Sequence, residues 1–220
     1  IEGDGITRVL IDASPDLREQ LLDANVGNLN GVVFTHEHAD HVHGLDDLRM
    51  IVFNQRKRLP VWADGKTSDA LISRFGYAFI QPEGSPYPPI LNLKPINGPV
   101  TVWGDGGDVV LEPFKVGHGA IDSLGFKIGP LAYLPDVAEI YDDAWPAIKS
   151  ADTWVVDALR REPHPTHTHL AQTLGWIEQS GVRHGVLTNM HIDMDYETVL
   201  AETPDNISLA YDGRQLEFTV

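Results

Sequence analysis

Residues 34–44 read FTHEHADHVHG and contain four of the ten histidines in the chain, together with one glutamate and one aspartate. The apolar run GVVF precedes this stretch, and apolar residues at helical spacing follow it. The stretch is therefore predicted to lie where a strand ends and a helix begins. Imidazole and carboxylate side chains gathered at such a turn can bind a shared cation, so the pattern predicts a metal site. The alternative is a solvated polar turn.

Length and composition favour one α/β domain spanning residues 1–220, with 42% hydrophobic residues to form a core. No apolar run is long enough to predict a membrane span, and we expect a cytoplasmic protein. The sequence opens at Ile1 without a methionine, so we expect some N-terminal residues to be missing. Because the chain has no cysteine, its metal ligands are expected to be imidazole and carboxylate groups.

The formal net charge of −16 arises from 16 basic and 32 acidic residues. A surface of that sign repels nucleic-acid backbones, so binding to extended nucleic acid is not expected. A small anionic substrate stays compatible with it, because bound divalent cations reverse the charge locally. The alternative meaning of the acidity is solubility alone.

The order of strand and helix signals predicts a mixed sheet sandwich with helices on its outer faces. Ser14 is expected to cap the first helix and Thr67 a later one. The Pro-rich segment 82–99 is expected to be irregular. Strands are expected at 7–13, 31–36, 60–63, 108–118, 123–129, 130–136, 153–159 and 185–190, with helices at 14–27, 40–54, 67–77, 137–149, 168–180 and 195–203 and two short strands at the end.

Four short segments resemble the motifs of the metallo-β-lactamase fold hydrolases: THEHADH, then VGHG, YLPD and TNMH, in the expected order along nearly the whole chain. The resemblance implies a four-layer αβ/βα sandwich that binds two divalent metal ions, with zinc or manganese expected. It assigns three ligands to the first ion, three to the second, and one bridging aspartate. These ligands are His36, His38 and His118; Asp40, His41 and His191; and Asp136.

Some of these positions have other interpretations. Asp136 could instead cap the following helix. His191 shares its loop with Asp193 and Asp195, and many relatives carry a histidine where this chain has Asn189, which leaves the last ligand open. Asp12 is expected to orient a ligand histidine, or else to form a turn. Asp40 is expected to act in catalysis as well as in metal binding.

The segment PTHTHL resembles a loop of the phosphodiesterase branch of this family, which includes ribonuclease Z. It resembles more closely the same loop of the cyclic-phosphodiester hydrolase of carbon–phosphorus lyase pathways. The resemblance places the catalytic histidine at His167. An alkoxide leaving group needs a proton, and an imidazole can donate one at neutral pH. Asp157, at the end of the preceding strand, is expected to hold His167. A solvated loop is the alternative interpretation of these histidines.

These observations together predict hydrolysis of a small cyclic ribose phosphate or nucleotide-like phosphodiester by a hydroxide bridging two metal ions, with His167 assisting the leaving group. The alternatives are a thioester or lactone hydrolase of the same fold, a tRNA 3′-processing endonuclease, and a non-catalytic metal- or nucleotide-binding protein. The expected partner is the small substrate, and a homodimer is possible. No basic arm of the ribonuclease Z kind is evident in the sequence.

Overall fold

The computed structural model describes residues 5–218. The chain divides into two compact units, one up to Val110 and one from Leu111, and each is described by itself. Both contain a sheet and helices, which confirms the expected α/β class. The prediction of one domain over residues 1–220 stays a prediction. Among the described residues, no helix has the length and apolar character needed to cross a membrane.

The first unit contains a four-stranded parallel sheet in the order β1-β2-β3-β4. Its buried core includes Phe34, Leu17, Leu45 and Leu71. The strands are β1 (Val9–Ile11), β2 (Gly31–Val33), β3 (Leu59–Ala63) and β4 (Leu91–Pro95), followed by the short β5 (Val100–Val102); the helices are α1 (Leu17–Asp23), α2 (Ala39–Val42), α3 (Leu48–Gln55) and α4 (Gly65–Phe79), with a 3₁₀ turn at Leu45–Asp47 before α3.

The second unit contains strands in the order β12-β11-β10-β8-β7-β6, with β9 paired to β6. Strands β6, β7 and β8 are antiparallel, whereas β8, β10, β11 and β12 run parallel. Trp154, Leu134 and Ile148 are fully buried in its core. The elements are β6 (Val109–His118), β7 (Ile121–Ile128), β8 (Leu131–Leu134), β9 (Glu139–Ile140), α5 (Trp145–Lys149), β10 (Thr153–Asp157), α6 (Leu170–Ser180), β11 (His184–Thr188), α7 (Tyr196–Glu202) and β12 (Ile207–Leu209).

Two predicted helix caps are wrong. Helix α1 begins at Leu17 after Asp16, and the Ser14 hydroxyl instead bonds the Gln20 side chain. Helix α4 is capped by the Asp64 carboxylate, which accepts a hydrogen bond from the backbone N–H of Thr67.

Other predicted elements are shorter or broken. The helix expected at 40–54 is divided into α2, the 3₁₀ turn and α3, and Gly44 lies between α2 and the 3₁₀ turn. The helix expected at 137–149 is only α5, since residues 139–140 pair with β6 and Pro146 lies in the first turn of the helix. Segment 82–99 contains β4 at the sheet edge. Only one of the two final strands, β12, is present in the described chain.

Candidate metal centre

The histidine-rich stretch of the first unit follows directly after β2. The strand ends at Val33, three residues earlier than the sequence predicts, because the backbone N–H of Thr35 bonds the side chain of Asp12 at 2.8 Å and does not pair with a strand. His36 and His38 therefore lie in a loop, and His38 occupies the position before the first residue of α2. A histidine pair that can serve one cation is thus held by a loop and not by strand alternation.

Three imidazole rings meet in this loop. The ring centroids of His36 and His38 lie 4.6 Å apart, and those of His36 and His41 lie 4.2 Å apart. His36 and His41 are buried, whereas the Asp40 side chain is 71% exposed. The neighbouring His41 imidazole holds the pKa of the Asp40 carboxyl well below its usual range, against an opposing effect of burial. Asp40 is therefore a carboxylate at neutral pH, which is the form that binds a cation.

Asp12 is a buried carboxylate that organises this loop. It accepts hydrogen bonds of 2.8 Å from the Thr35 hydroxyl and from Nδ1 of His41. Thr35 in turn accepts a hydrogen bond of 2.9 Å from Nδ1 of His36. Burial raises the pKa of Asp12, and the hydrogen bonds from His41 and Thr35 oppose that rise. With Nδ1 used as a donor in both histidines, Nε2 is the nitrogen that carries the lone pair in the neutral ring.

The backbone around Asp12 is also fixed. Its φ is +62°, in the left-handed region that aspartate and asparagine tolerate better than most residues. The N–H of Ala13 bonds the carbonyl of His41 at 2.7 Å, and the N–H of Gly44 bonds the carbonyl of Ala13 at 2.9 Å. A Cβ atom at Gly44 would lie 1.9 Å from the Ser14 carbonyl oxygen. Only glycine fits there, so α2 can lie directly against the chain that leaves β1.

In the second unit, His118 and Asp136 follow strand ends. His118 is the last residue of β6, and Asp136 comes just after β8. Both are buried, and Nε2 of His118 lies 3.4 Å from Oδ2 of Asp136. Nδ1 of His118 donates to the Thr166 carbonyl at 2.6 Å, which again leaves Nε2 with the lone pair.

His167 lies beside this pair. Its Nδ1 donates to Oδ2 of Asp157 at 2.8 Å, and its Nε2 lies 3.9 Å from Oδ2 of Asp136. Asp157 ends β10, is fully buried and also accepts a hydrogen bond of 3.1 Å from the N–H of Val137. Burial raises the pKa of Asp157 to about 6, although the hydrogen bond from His167 counteracts this. The expected contact between Asp157 and His167 is present.

The last predicted ligand, His191, is placed apart from this group. Its side chain is 54% exposed and bonds Asp193 at 2.8 Å. Asn189 instead reaches towards the group, with its Nδ2 3.4 Å from oxygens of both Asp136 and Asp157. The role of His191 as a metal ligand stays a prediction. Asp195, the third candidate in this loop, caps α7 by accepting a hydrogen bond of 2.9 Å from the N–H of Thr198.

The sequence predicts no role at this site for three residues that contact it: Thr35, Asn189 and Arg74. Arg74 lies on α4 and donates to the carbonyl of Glu37, between two of the histidines. A hydrogen bond to a backbone carbonyl leaves no signature in a single sequence, whereas the position of Asn189 after a buried strand could have suggested its proximity to Asp157.

The donor set suits a divalent metal ion. Groups of side chains able to hold a metal ion occur among the described residues, and all their ligands are histidine or aspartate. Because Nδ1 of His36, His41 and His118 donates a hydrogen bond, Nε2 keeps the lone pair that can bind a metal ion, as is usual at metal sites. Imidazole and carboxylate ligands are those that zinc and manganese accept.

Comparisons with known proteins agree with this chemistry. The sequence profile of the β-lactamase superfamily domain matches residues 7–192. The chain is 36% identical to an octanoyltransferase of Porphyromonas gingivalis over 94% of its own length and 41% of that protein. It is 27% identical to the exodeoxyribonuclease YycJ of Bacillus anthracis over 62% of its own length and 47% of that protein. The chain thus spans less than half the length of these curated relatives.

Among solved structures, a diphosphatase from the PhnP family is similar with a TM-score of 0.86 and 33% identity, covering 96% of this chain and 79% of that one. This likeness confirms the fold expected from the sequence. Together with the profile match, it supports a metal-dependent hydrolase.

Proposed function

This chain belongs to the β-lactamase superfamily, and we propose that it is a metal-dependent phosphodiesterase acting on small cyclic ribose phosphates or nucleotide-like substrates. The observation that carries the proposal is the hydrogen-bonded pair of His167 and Asp157 beside Asp136. The likeness to a diphosphatase supports chemistry at a phosphorus centre.

We assign the predicted ligands to one dinuclear centre, with zinc or manganese as the ions. His36, His38 and His118 would hold the first ion, Asp40, His41 and His191 would hold the second, and Asp136 would serve as the shared ligand. When bound, such a pair of ions supplies hydroxide near neutral pH and neutralises charge on the phosphate oxygens. The protein's part is to keep each imidazole in the orientation that presents Nε2, through Asp12, Thr35 and the Thr166 carbonyl.

His167 is the proton donor in this proposal. Its ring is 16% exposed, so substrate can reach it, and Asp157 fixes the ring through Nδ1. The buried carboxylate favours the protonated ring, and Nε2 is the atom from which the proton passes to the departing alkoxide oxygen. When the P–O bond breaks, the alkoxide leaves as a neutral alcohol and His167 becomes neutral.

The leaving group provides the test. The metal-loaded enzyme is assayed with phosphodiesters that have the same non-leaving ester group and differ in the leaving group. The leaving groups range from p-nitrophenol to simple alcohols. We expect His167→Ala to lower kcat by about 10²–10⁴ for alcohol leaving groups and far less for p-nitrophenol, which departs without a proton. An equal loss for both leaving groups, or none for the alcohols, would contradict the assigned role. His184→Ala, at a half-buried histidine on β11, is the control.

A second candidate is hydrolysis of an acyl ester or thioester, because the chain is similar over 94% of its own length to 41% of an octanoyltransferase. An acyl substrate would also be attacked by hydroxide, but a thiolate leaving group needs little protonation. Octanoyl thioesters and phosphodiesters tested side by side on the metal-loaded enzyme separate the two candidates. Turnover of the thioester alone, insensitive to His167→Ala, would favour the second.

A further inference from the structure

A cavity of about 660 Å³ lies beside His38 and is lined by Ala39, His43, Arg74 and Phe75 as well. We call it the Arg74 cavity. All of its lining residues belong to the first unit. Because His38 is one of the proposed metal ligands, a group bound in this cavity lies next to the reacting phosphate.

Helix α4 is bent where it borders the cavity. Phe75 has φ −129° and ψ 27°, outside the helical region, and Gly76 follows it. Consecutive residues of a regular helix do not face the same side. The kink at Phe75 explains how Arg74 and Phe75 can both line one cavity.

The walls of the Arg74 cavity are aromatic on two sides. The rings of His43 and Phe75 have centroids 5.8 Å apart and planes at 80° to each other, so they form a corner. The Arg74 guanidinium is held by its hydrogen bond to the Glu37 carbonyl, and a guanidinium has five N–H donors, which leaves others for a ligand. Three other arginines of residues 5–218 pair with carboxylates, whereas the described residues offer none to Arg74.

We propose that the Arg74 cavity binds the nucleobase of a nucleotide-like phosphodiester. A planar base stacks against Phe75 or His43, and Arg74 donates hydrogen bonds to an oxygen or ring nitrogen on its edge. A phosphate group alone would use the guanidinium and leave both rings without a contact. The inference rests on the proposed function, since the cavity affects turnover only if the phosphate reacts beside His38.

Two substrates that differ only in the base test the proposal. They are 2′,3′-cyclic AMP and the same cyclic ribose phosphate with a methoxy group in place of adenine. We expect kcat/KM of the native enzyme to be at least about tenfold higher for the nucleotide, mainly through KM, as stacking of one base provides. Phe75→Leu should reduce this preference about tenfold, whereas Phe75→Tyr, which keeps the ring, should retain the native preference.

The matched control is Phe53→Leu on α3, where the side chain is 59% exposed and outside the cavity; it should keep the native preference. Equal kcat/KM for the two substrates, or a preference that survives Phe75→Leu, would overturn the base site while leaving the phosphodiesterase proposal intact. If neither substrate is turned over, the proposed function fails. Calorimetry then decides the base site: AMP must bind the native protein about tenfold more tightly than ribose 5-phosphate does, and Phe75→Leu must remove that difference.

If Phe75→Leu does not fold by circular dichroism, His43→Ala replaces it. That variant should lower the preference for the nucleotide in the same direction, because it removes the other aromatic wall of the corner. An unchanged preference in a folded His43→Ala protein would count against stacking as the source of the selectivity.

Discussion

Asp12 in the first unit and Asp157 in the second make the same contact in different settings. Each is a buried carboxylate that accepts a 2.8 Å hydrogen bond from Nδ1 of a histidine, His41 in one case and His167 in the other. Burial raises the pKa of both carboxyls, and the histidine opposes the rise in both. The hydrogen bond thus orients an imidazole without deciding what the imidazole does.

The difference lies in what surrounds the far side of each ring. His41 packs against His36, with ring centroids 4.2 Å apart, and is buried in a set of potential ligands. His167 retains 16% exposure and faces Asp136 with its Nε2. One carboxylate–imidazole pair therefore suits metal binding and the other suits proton transfer to a substrate. The next predictions test whether the two pairs can be separated.

The largest effect is expected for Asp157→Asn. The amide keeps the shape of the side chain but removes the charge that favours the protonated His167 ring, so we expect kcat for alcohol-leaving phosphodiesters to fall by about 10²–10³. The metal content of the loaded protein should stay the same, as measured by elemental analysis. A loss of bound metal with kcat per metal unchanged would make Asp157 equivalent to Asp12 and remove the distinction.

Asp12→Asn should give the opposite pattern. We expect metal affinity to fall by about 10–100-fold, because the partner that fixes His41 loses its charge, while kcat at saturating metal falls less than in Asp157→Asn. Asparagine suits the positive φ at this position. Affinity is measured by competition with a chelator. Asp16→Asn, at an exposed aspartate that makes no capping bond, is the control. Equal metal affinities for the native protein, Asp12→Asn and Asp16→Asn would refute the assignment.

The smallest effect is expected at an aspartate that pairs with no histidine. Capping of α7 by hydrogen bonds from Thr198 lowers the pKa of Asp195 below its usual 3.8. The folded state then binds fewer protons than the unfolded state, so the stabilisation is fully present above about pH 4 and is lost as pH falls through the lowered pKa. Asp195→Ala should lower Tm at pH 7, and the difference from the native protein should shrink in acid. Asp205→Ala, at an exposed aspartate, is the matched control.

The sequence indicates where the histidines and their partner aspartates lie because those side chains are functional groups at fixed spacings; their roles as metal ligands stay predictions. The contact between Asp157 and His167 could be predicted because Asp157 ends a strand and His167 lies in the loop that follows it. Arg74 could not be predicted, because its contact is with a backbone carbonyl 37 residues away. Asn189 lies beside Asp136 and has a backbone φ of +58°. A sequence pattern does not specify that conformation.

The errors in the fold share a cause. The sequence of segment 137–149 favours a helix, but Glu139 and Ile140 pair with β6. Pairing between distant segments overrides local preference. Similarly, Leu91–Pro95 forms the edge strand of a sheet although its surroundings are rich in proline. An edge strand tolerates proline because only one of its sides must pair.

The backbone bonds that join Ala13 to His41 and Gly44 have a consequence for how metal is acquired. Neither bond uses a histidine side chain, so we expect the loop to be ordered in the metal-free protein as well. The amide hydrogens of Ala13 and Gly44 should then exchange slowly with deuterium in the metal-free protein. Binding of the ion would then require little further ordering of the loop, so the chain would lose little conformational entropy.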